Sequence, residues 1–144
     1  RLLDGKTTGL GYWEASYNNT HRAIDMIPKD VVINDWHYER ADPTAIYFAL
    51  KGFKVVTCPW RFPDVTKAQL QILVDARKNA TPQVKDNYLG VLHTTWTDAD
   101  DFIDQFYGKK EVNTGRGGNY VEAFKALFAD INKLDVSQAT QNKK

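Results

Sequence analysis

Three short apolar runs in this chain each lead to a tryptophan that stands beside polar groups. Val31-Val32-Ile33-Asn34 runs into Asp35-Trp36-His37-Tyr38-Glu39, and Lys54-Val55-Val56-Thr57 into Cys58-Pro59-Trp60-Arg61. Gly90-Val91-Leu92 runs into His93-Thr94-Thr95-Trp96-Thr97-Asp98. An indole face stacks on the apolar face of a pyranose ring, and neighbouring acids, arginine, tyrosine and histidine bind its hydroxyls. Trp36, Trp60 and Trp96 therefore read as aromatic walls, with Asp35, Tyr38, Glu39, Arg61, His93 and Asp98 as their polar companions. The competing reading packs these tryptophans beneath helices as core.

Paired carboxylates also suit glycoside hydrolysis, which places an acid and a base or nucleophile on either side of the bond. Asp35, Glu39 and Asp98 qualify by position, although Asp98 equally reads as a first-turn helix acid and Glu39 as a solvated partner of Arg40. His37 and His93 could ligate a metal with Asp35 or Glu39, but no HxH or HExxH spacing supports it, and they read as hydrogen-bonding pocket residues. His21 falls in a helix and reads as surface. Cys58, the single cysteine, precludes an internal disulfide; Pro59 follows it with no helix N-terminus to activate a thiolate, so it reads as a buried structural thiol. Gly115-Arg116-Gly117-Gly118 matches neither phosphate-binding glycine fingerprint and reads as a flexible loop. No cofactor or metal is expected.

The elements that must position these residues alternate. A short helix is expected from Asn18 or Asn19 to about Ile27, stopped by Pro28. Val31–Asn34 reads as a strand, and its unbroken β-branched run suits a parallel sheet covered on both faces. Asp42-Pro43 reads as a cap and first helical residue, with Gly52 just past the helix end. The second strand is Phe53–Cys58. A helix capped by Asp64 or Thr66 follows and presents Leu70, Leu73, Val74 and Arg77 before Thr81-Pro82 ends it. The third strand is Tyr88–His93, and Thr97 caps a helix over Asp98–Tyr107. A final helix buries Val121, Phe124, Leu127, Phe128 and Ile131. Such alternation with short connections predicts right-handed βαβ units, whose functional sites lie at the carboxyl ends of the strands.

The 144 residues suffice for one domain with a core. Nineteen basic and 18 acidic residues nearly cancel, which gives no reason to expect nucleic acid or an anionic membrane surface as partner. No apolar run approaches the roughly 20 residues of a membrane span. The start at Arg1-Leu2-Leu3-Asp4-Gly5, without an initiator methionine, reads as a cut from something longer.

The run from Ile27 through Glu39, and Gly52-Phe53-Lys54-Val55-Val56-Thr57-Cys58-Pro59-Trp60-Arg61, resemble glycoside hydrolase family 20-like proteins. These are β-N-acetylhexosaminidase-type (β/α)8 TIM barrels, common in gut Bacteroidetes. Trp96-Thr97-Asp98 is similar to the family's Trp-x-Glu at the last barrel strand, where the tryptophan walls the sugar and the acid binds ring hydroxyls. Trp36 resembles the wall from a preceding strand.

The resemblance covers roughly residues 1–108, which would be the last three strands, with Arg1–Asp4 trailing from the fifth. It implies that residues 1–135 are the C-terminal part of a TIM barrel with an extra helix; residues 136–144, by their polar composition, read as a disordered tail. It also implies an N-acetylhexosamine-containing glycan as partner and a periplasmic or extracellular bacterial enzyme. Edges left open would pair with the rest of the barrel or drive self-association. The family's adjacent Asp-Glu pair, which supplies the general acid, would lie upstream, so no catalytic residue is expected here. Asp100-Asp101 is adjacent but falls within a helix, and no tyrosine after Trp60 matches the family's acetamide-binding one. The alternatives are a non-catalytic carbohydrate-binding barrel and a small autonomous α/β domain.

Overall fold

The computed structural model describes residues 1–115 and 117–141, with the backbone alone for 135–141. The fold is mixed α/β. Strands β1 (Val32–Asp35), β2 (Lys54–Thr57) and β3 (Tyr88–Val91) form one parallel sheet in the order β1-β2-β3. Parallel neighbours need crossover connections. Helix α2 (Thr44–Leu50) joins β1 to β2, and α3 (Pro63–Asn79) with the single turn α4 (Pro82–Lys85) joins β2 to β3. A one-turn α1 (Gly5–Thr8) and a 3₁₀ segment (Thr20–Asp25) precede the sheet. Helices α5 (Ala99–Phe106) and α6 (Tyr120–Gln141) follow it.

Several elements start or end differently from expectation, each for a local reason. The segment after Asn19 is 3₁₀ rather than α, and Asn19 itself takes a left-handed φ of 67° without a side-chain cap bond. Helix α2 starts at Thr44, because the Asp42 carboxylate is drawn to Arg40 rather than to the helix N–H groups. Helix α3 starts at Pro63, whose missing N–H costs nothing in a first turn. Neither Asp64 nor Thr66 caps it, and Thr66 is fully buried. Asp98, not Thr97, occupies the cap position of α5. The final helix continues to Gln141, past the expected start of the polar tail: a formed helix propagates one bond per residue, and Gln and Ala are favourable formers. Residues 142–144 lie outside the described residues.

Burial corrects one expectation about the sheet. β2 alternates, with Val55 and Thr57 buried while Lys54 is exposed. β1 is mostly open, with Val31, Val32 and Asn34 exposed and only Asp35 buried. The apolar run that predicted cover on both faces belongs to an edge strand, paired only with β2 among the described residues. On the other edge Leu89 and Leu92 are exposed.

The main core lies where α2 and α3 pack on β2. It gathers Leu3, Leu10, Ile24, Phe48, Phe53, Val55, Leu73 and Tyr88. A second cluster joins Trp60 to Tyr120 and Val121, with Tyr38, Phe102, Phe106 and Val112 around it. Helix α6 buries Val121, Ala123 and Leu127. Phe128, expected inside, is exposed and packs on Phe124 at 4.5 Å between ring centroids.

The second cluster is tied to the sheet by a close backbone approach. The Asn119 N–H donates to the Arg61 carbonyl at 2.7 Å, and the Asn119 carboxamide oxygen caps α6 by accepting from the Val121 and Glu122 N–H groups. Gly118 makes that approach possible: its φ is +73°, and a Cβ there would meet the Arg61 carbonyl oxygen at 2.5 Å. Gly117 shares the φ of +73°, yet its Cβ would meet only the Phe62 ring at 3.7 Å. Gly118→Ala should therefore cost on the order of 2 kcal/mol, and Gly117→Ala about 1 kcal/mol from backbone conformation alone. Urea denaturation of the two variants should show the larger midpoint shift for Gly118→Ala.

Candidate functional site

The carboxyl ends of the strands gather the expected tryptophans around one residue, Tyr38. Its ring stands 5.5 Å from Trp36 and 5.2 Å, edge-on, from Trp60. Its phenol oxygen accepts a hydrogen bond from the Trp96 indole at 2.8 Å. The Thr94 hydroxyl donates to the Pro59 carbonyl and lies 3.3 Å from the same phenol oxygen.

The three indoles differ in exposure. Trp36 is 44% and Trp96 67% exposed, whereas Trp60 is 7% exposed and sits in the second core cluster. Trp60 lies beneath the site. The Arg61 guanidinium lies 4.5 Å from the Trp60 ring centroid and pairs with Glu39. A cavity of about 200 Å³ opens above, lined by Trp60, Arg61, Trp96, Thr97, Asn113 and Gly117. Arg116 lies outside the described residues.

The remaining expected residues have other engagements. His93 donates from Nε2 to the Trp60 carbonyl at 2.8 Å and meets Phe124 edge-on, which joins the end of β2 to α6. Burial holds its pKa below the ordinary histidine value, against the opposing pull of the Trp60 carbonyl, so the ring is neutral at physiological pH. Asp98 is exposed beside Trp96, its backbone carbonyl starting α5. Cys58 is buried, and burial with the Asp35 charge pushes its thiol up to about 11. The thiol stays protonated near neutrality, as a structural residue should.

Asp35 is buried as well, and it anchors a polar chain. One oxygen accepts from the Thr44 hydroxyl at 2.6 Å; the other lies 3.2 Å from His37 Nε2. His37 Nδ1 lies 2.8 Å from the Glu14 carboxylate. Arg40 in turn reaches Glu14 at 3.5 Å and Asp42 at 3.2 Å, so these two acids share a guanidinium.

Glu14 and its neighbour Trp13, which is 77% exposed, had no place in the sequence reading. They line a cleft of about 610 Å³ along the free edge of β1, together with Val32, Asn34, Trp36 and His37. The signal was the same tryptophan-beside-acid pairing as at the strand ends, but it stood in a glycine-rich stretch without a period. Trp36 thus lines this cleft and also meets the Tyr38 ring, whose phenol oxygen accepts from the Trp96 indole. Such a surface can stack rings and offer carboxylates and N–H donors to hydroxyls.

Comparison with known proteins finds no family model that matches this chain, and no curated protein that matches it.

Tyr38→Phe should keep the ring contacts and remove the acceptor of the Trp96 indole bond. The expected cost is about 1 kcal/mol or less, because Trp96 is solvated, with a shift of the tryptophan emission that Trp96→Phe abolishes. A thiol reagent such as an aromatic disulfide should leave Cys58 unmodified in native buffer and react stoichiometrically in denaturant.

Proposed function

We propose that this chain supplies the aromatic wall and hydroxyl-binding residues of a sugar subsite, as the C-terminal portion of a family 20-like, β-N-acetylhexosaminidase-type (β/α)8 barrel. The observation that carries this reading is that Trp36 and Trp96 both touch Tyr38, one ring to ring and the other through its indole N–H, while remaining exposed at the carboxyl ends of parallel strands. Two large aromatic side chains left exposed around one tyrosine mark a binding surface more often than a folding need. Among the described residues the outer edges of β1 and β3 are unpaired, which fits a segment whose remaining strands lie elsewhere, or one that pairs with a second copy.

In this reading Trp36 and Trp96 stack on an N-acetylhexosamine ring. Asp98 and Glu39 accept from its hydroxyls, and Arg61 donates. Trp60, Asp35 and His93 fix the floor rather than touch the sugar. The parent barrel would cleave its glycoside with the substrate's own acetamido oxygen attacking the anomeric carbon, while an upstream glutamic acid protonates the departing oxygen; this is an exception to the usual two-carboxylate scheme.

One observation favours non-catalytic carbohydrate binding for the chain itself. Asp35 is bonded to Thr44 and His37, and Glu39 to Arg61, so neither is free to act as an acid opposite Asp98.

N-acetylglucosamine should quench the tryptophan fluorescence of the chain saturably. Trp36→Ala and Trp96→Ala should each weaken it roughly fivefold to tenfold, the equivalent of about 1 kcal/mol of stacking. A chromogenic N-acetylglucosaminide should release no product with this chain. Turnover would contradict the upstream placement of the acid, and the absence of any sugar-dependent quenching would contradict the wall.

A further inference from the structure

The Glu14–His37–Asp35–Thr44 chain links three parts of the fold: the segment before the sheet, the end of β1, and the start of α2. Its middle member is nearly inaccessible, 4% exposed, and both of its ring nitrogens face carboxylate oxygens, at 2.8 Å and 3.2 Å. A carboxylate only accepts, and a neutral imidazole carries a single N–H. With a neutral ring, one of the two contacts sets lone pair against lone pair. Both are hydrogen bonds only when the ring carries two protons.

We infer that His37 is a positioning residue whose imidazolium clamps the Trp13–Glu14 wall to the end of β1, so that the cleft between Trp13 and Trp36 keeps its shape while the ring is charged and loosens when it is not. The proposed sugar wall shares Trp36 with this cleft, so the inference rests on the sugar reading only for the identity of what that shared indole meets.

The surroundings favour this reading over simple cohesion. The segment before the sheet stays packed through Leu3, Leu10 and Ala15, and its own backbone bonds, Ser16 to Leu3 and Gly5 to Ser16, tie it to itself. The Glu14 side chain is what reaches across to β1. The charged groups that face His37 are Asp35 from β1, Glu14 from the N-terminal segment, and Asp42 and Arg40 from the β1–α2 loop, with Asp42 4.0 Å from Nδ1. Arginine keeps its charge throughout, and histidine is the side chain whose charge changes near neutrality. Gln69, from α3, donates to the His37 carbonyl and is neutral.

Burial by itself would lower the His37 pKa, but Asp35 and then Glu14 outweigh it, and the net shift is upward from 6.5. A histidine raised on folding contributes stability that is fully present below its unfolded value. That stability is lost as pH rises through the folded value. The clamp is therefore closed in mildly acidic solution and releases on the alkaline side.

The test uses the full chain, isotopically labelled, with the imidazole signals of His37 and the Trp13 indole N–H followed by NMR across a pH titration. The expected result is a common midpoint above 6.5 for the two probes. Glu14→Gln keeps the side-chain shape but removes a charge, and should move that midpoint down; a role limited to packing would leave it in place. His37→Gln should make the Trp13 signal indifferent to pH. N-acetylglucosamine affinity should fall several-fold over the same pH range in the native chain and stay flat in His37→Gln. A His37 midpoint at or below the ordinary histidine value, or a Trp13 signal that ignores His37, overturns the clamp. Linked titration without sugar binding at any pH supports the clamp and overturns the sugar reading; pH-independent sugar binding with an unmoved Trp13 does the reverse.

Discussion

The parallel backbone ladder does not stop where the strands do, and the geometry of the site depends on that continuation. The Cys58 N–H donates to the Asp35 carbonyl, the Leu92 N–H to the Thr57 carbonyl and the Thr94 N–H to the Pro59 carbonyl, each at 2.9 Å. These bonds hold three irregular segments in register after their strands have ended. Tyr38, Trp60 and Trp96 can meet only because the segments that carry them stay aligned. Each backbone bond also satisfies a polar group that would be costly to leave unpaired in this partly buried layer.

Two features set the strand-end region apart from ordinary core. One is the burial of Asp35 and His37 in contact, an arrangement that requires compensating hydrogen bonds, which Thr44 and Glu14 provide. The other is the exposure of indole surface directly beside it. Cohesion alone would favour apolar residues at the buried positions and polar ones at the exposed positions. The reversal is understandable where side chains are held in fixed directions to meet a ligand that is both flat and polar.

Much of the fold was legible in local pattern. The apolar runs at Val31, Lys54 and Tyr88 mark the strands, and Gly52, with φ +85°, sits just past α2 as its position suggested. The strand-end location of Trp36, Trp60 and Trp96 followed from that alternation. Long-range pairing was not legible. Glu14 meets His37 across 23 residues, and Tyr38 meets Trp96 across 58, and no local period encodes either. Trp60 has the same residue type and the same position relative to its strand as the other two tryptophans. It is buried because Tyr120 and Val121, at the start of α6, pack against it. Asn119 caps that helix from a stretch that reads as loop, and the Gly118 approach to Arg61 depends on a carbonyl 57 positions earlier.

Trp36 and Trp96 are proposed to form one sugar-binding wall around Tyr38. Titration of the labelled chain with N-acetylglucosamine, read at the indole N–H signals, tests it most directly. The Trp36 and Trp96 signals are expected to shift together along a single saturable curve while buried Trp60 responds least. Indole signals that do not move, or that move independently of one another, would contradict it.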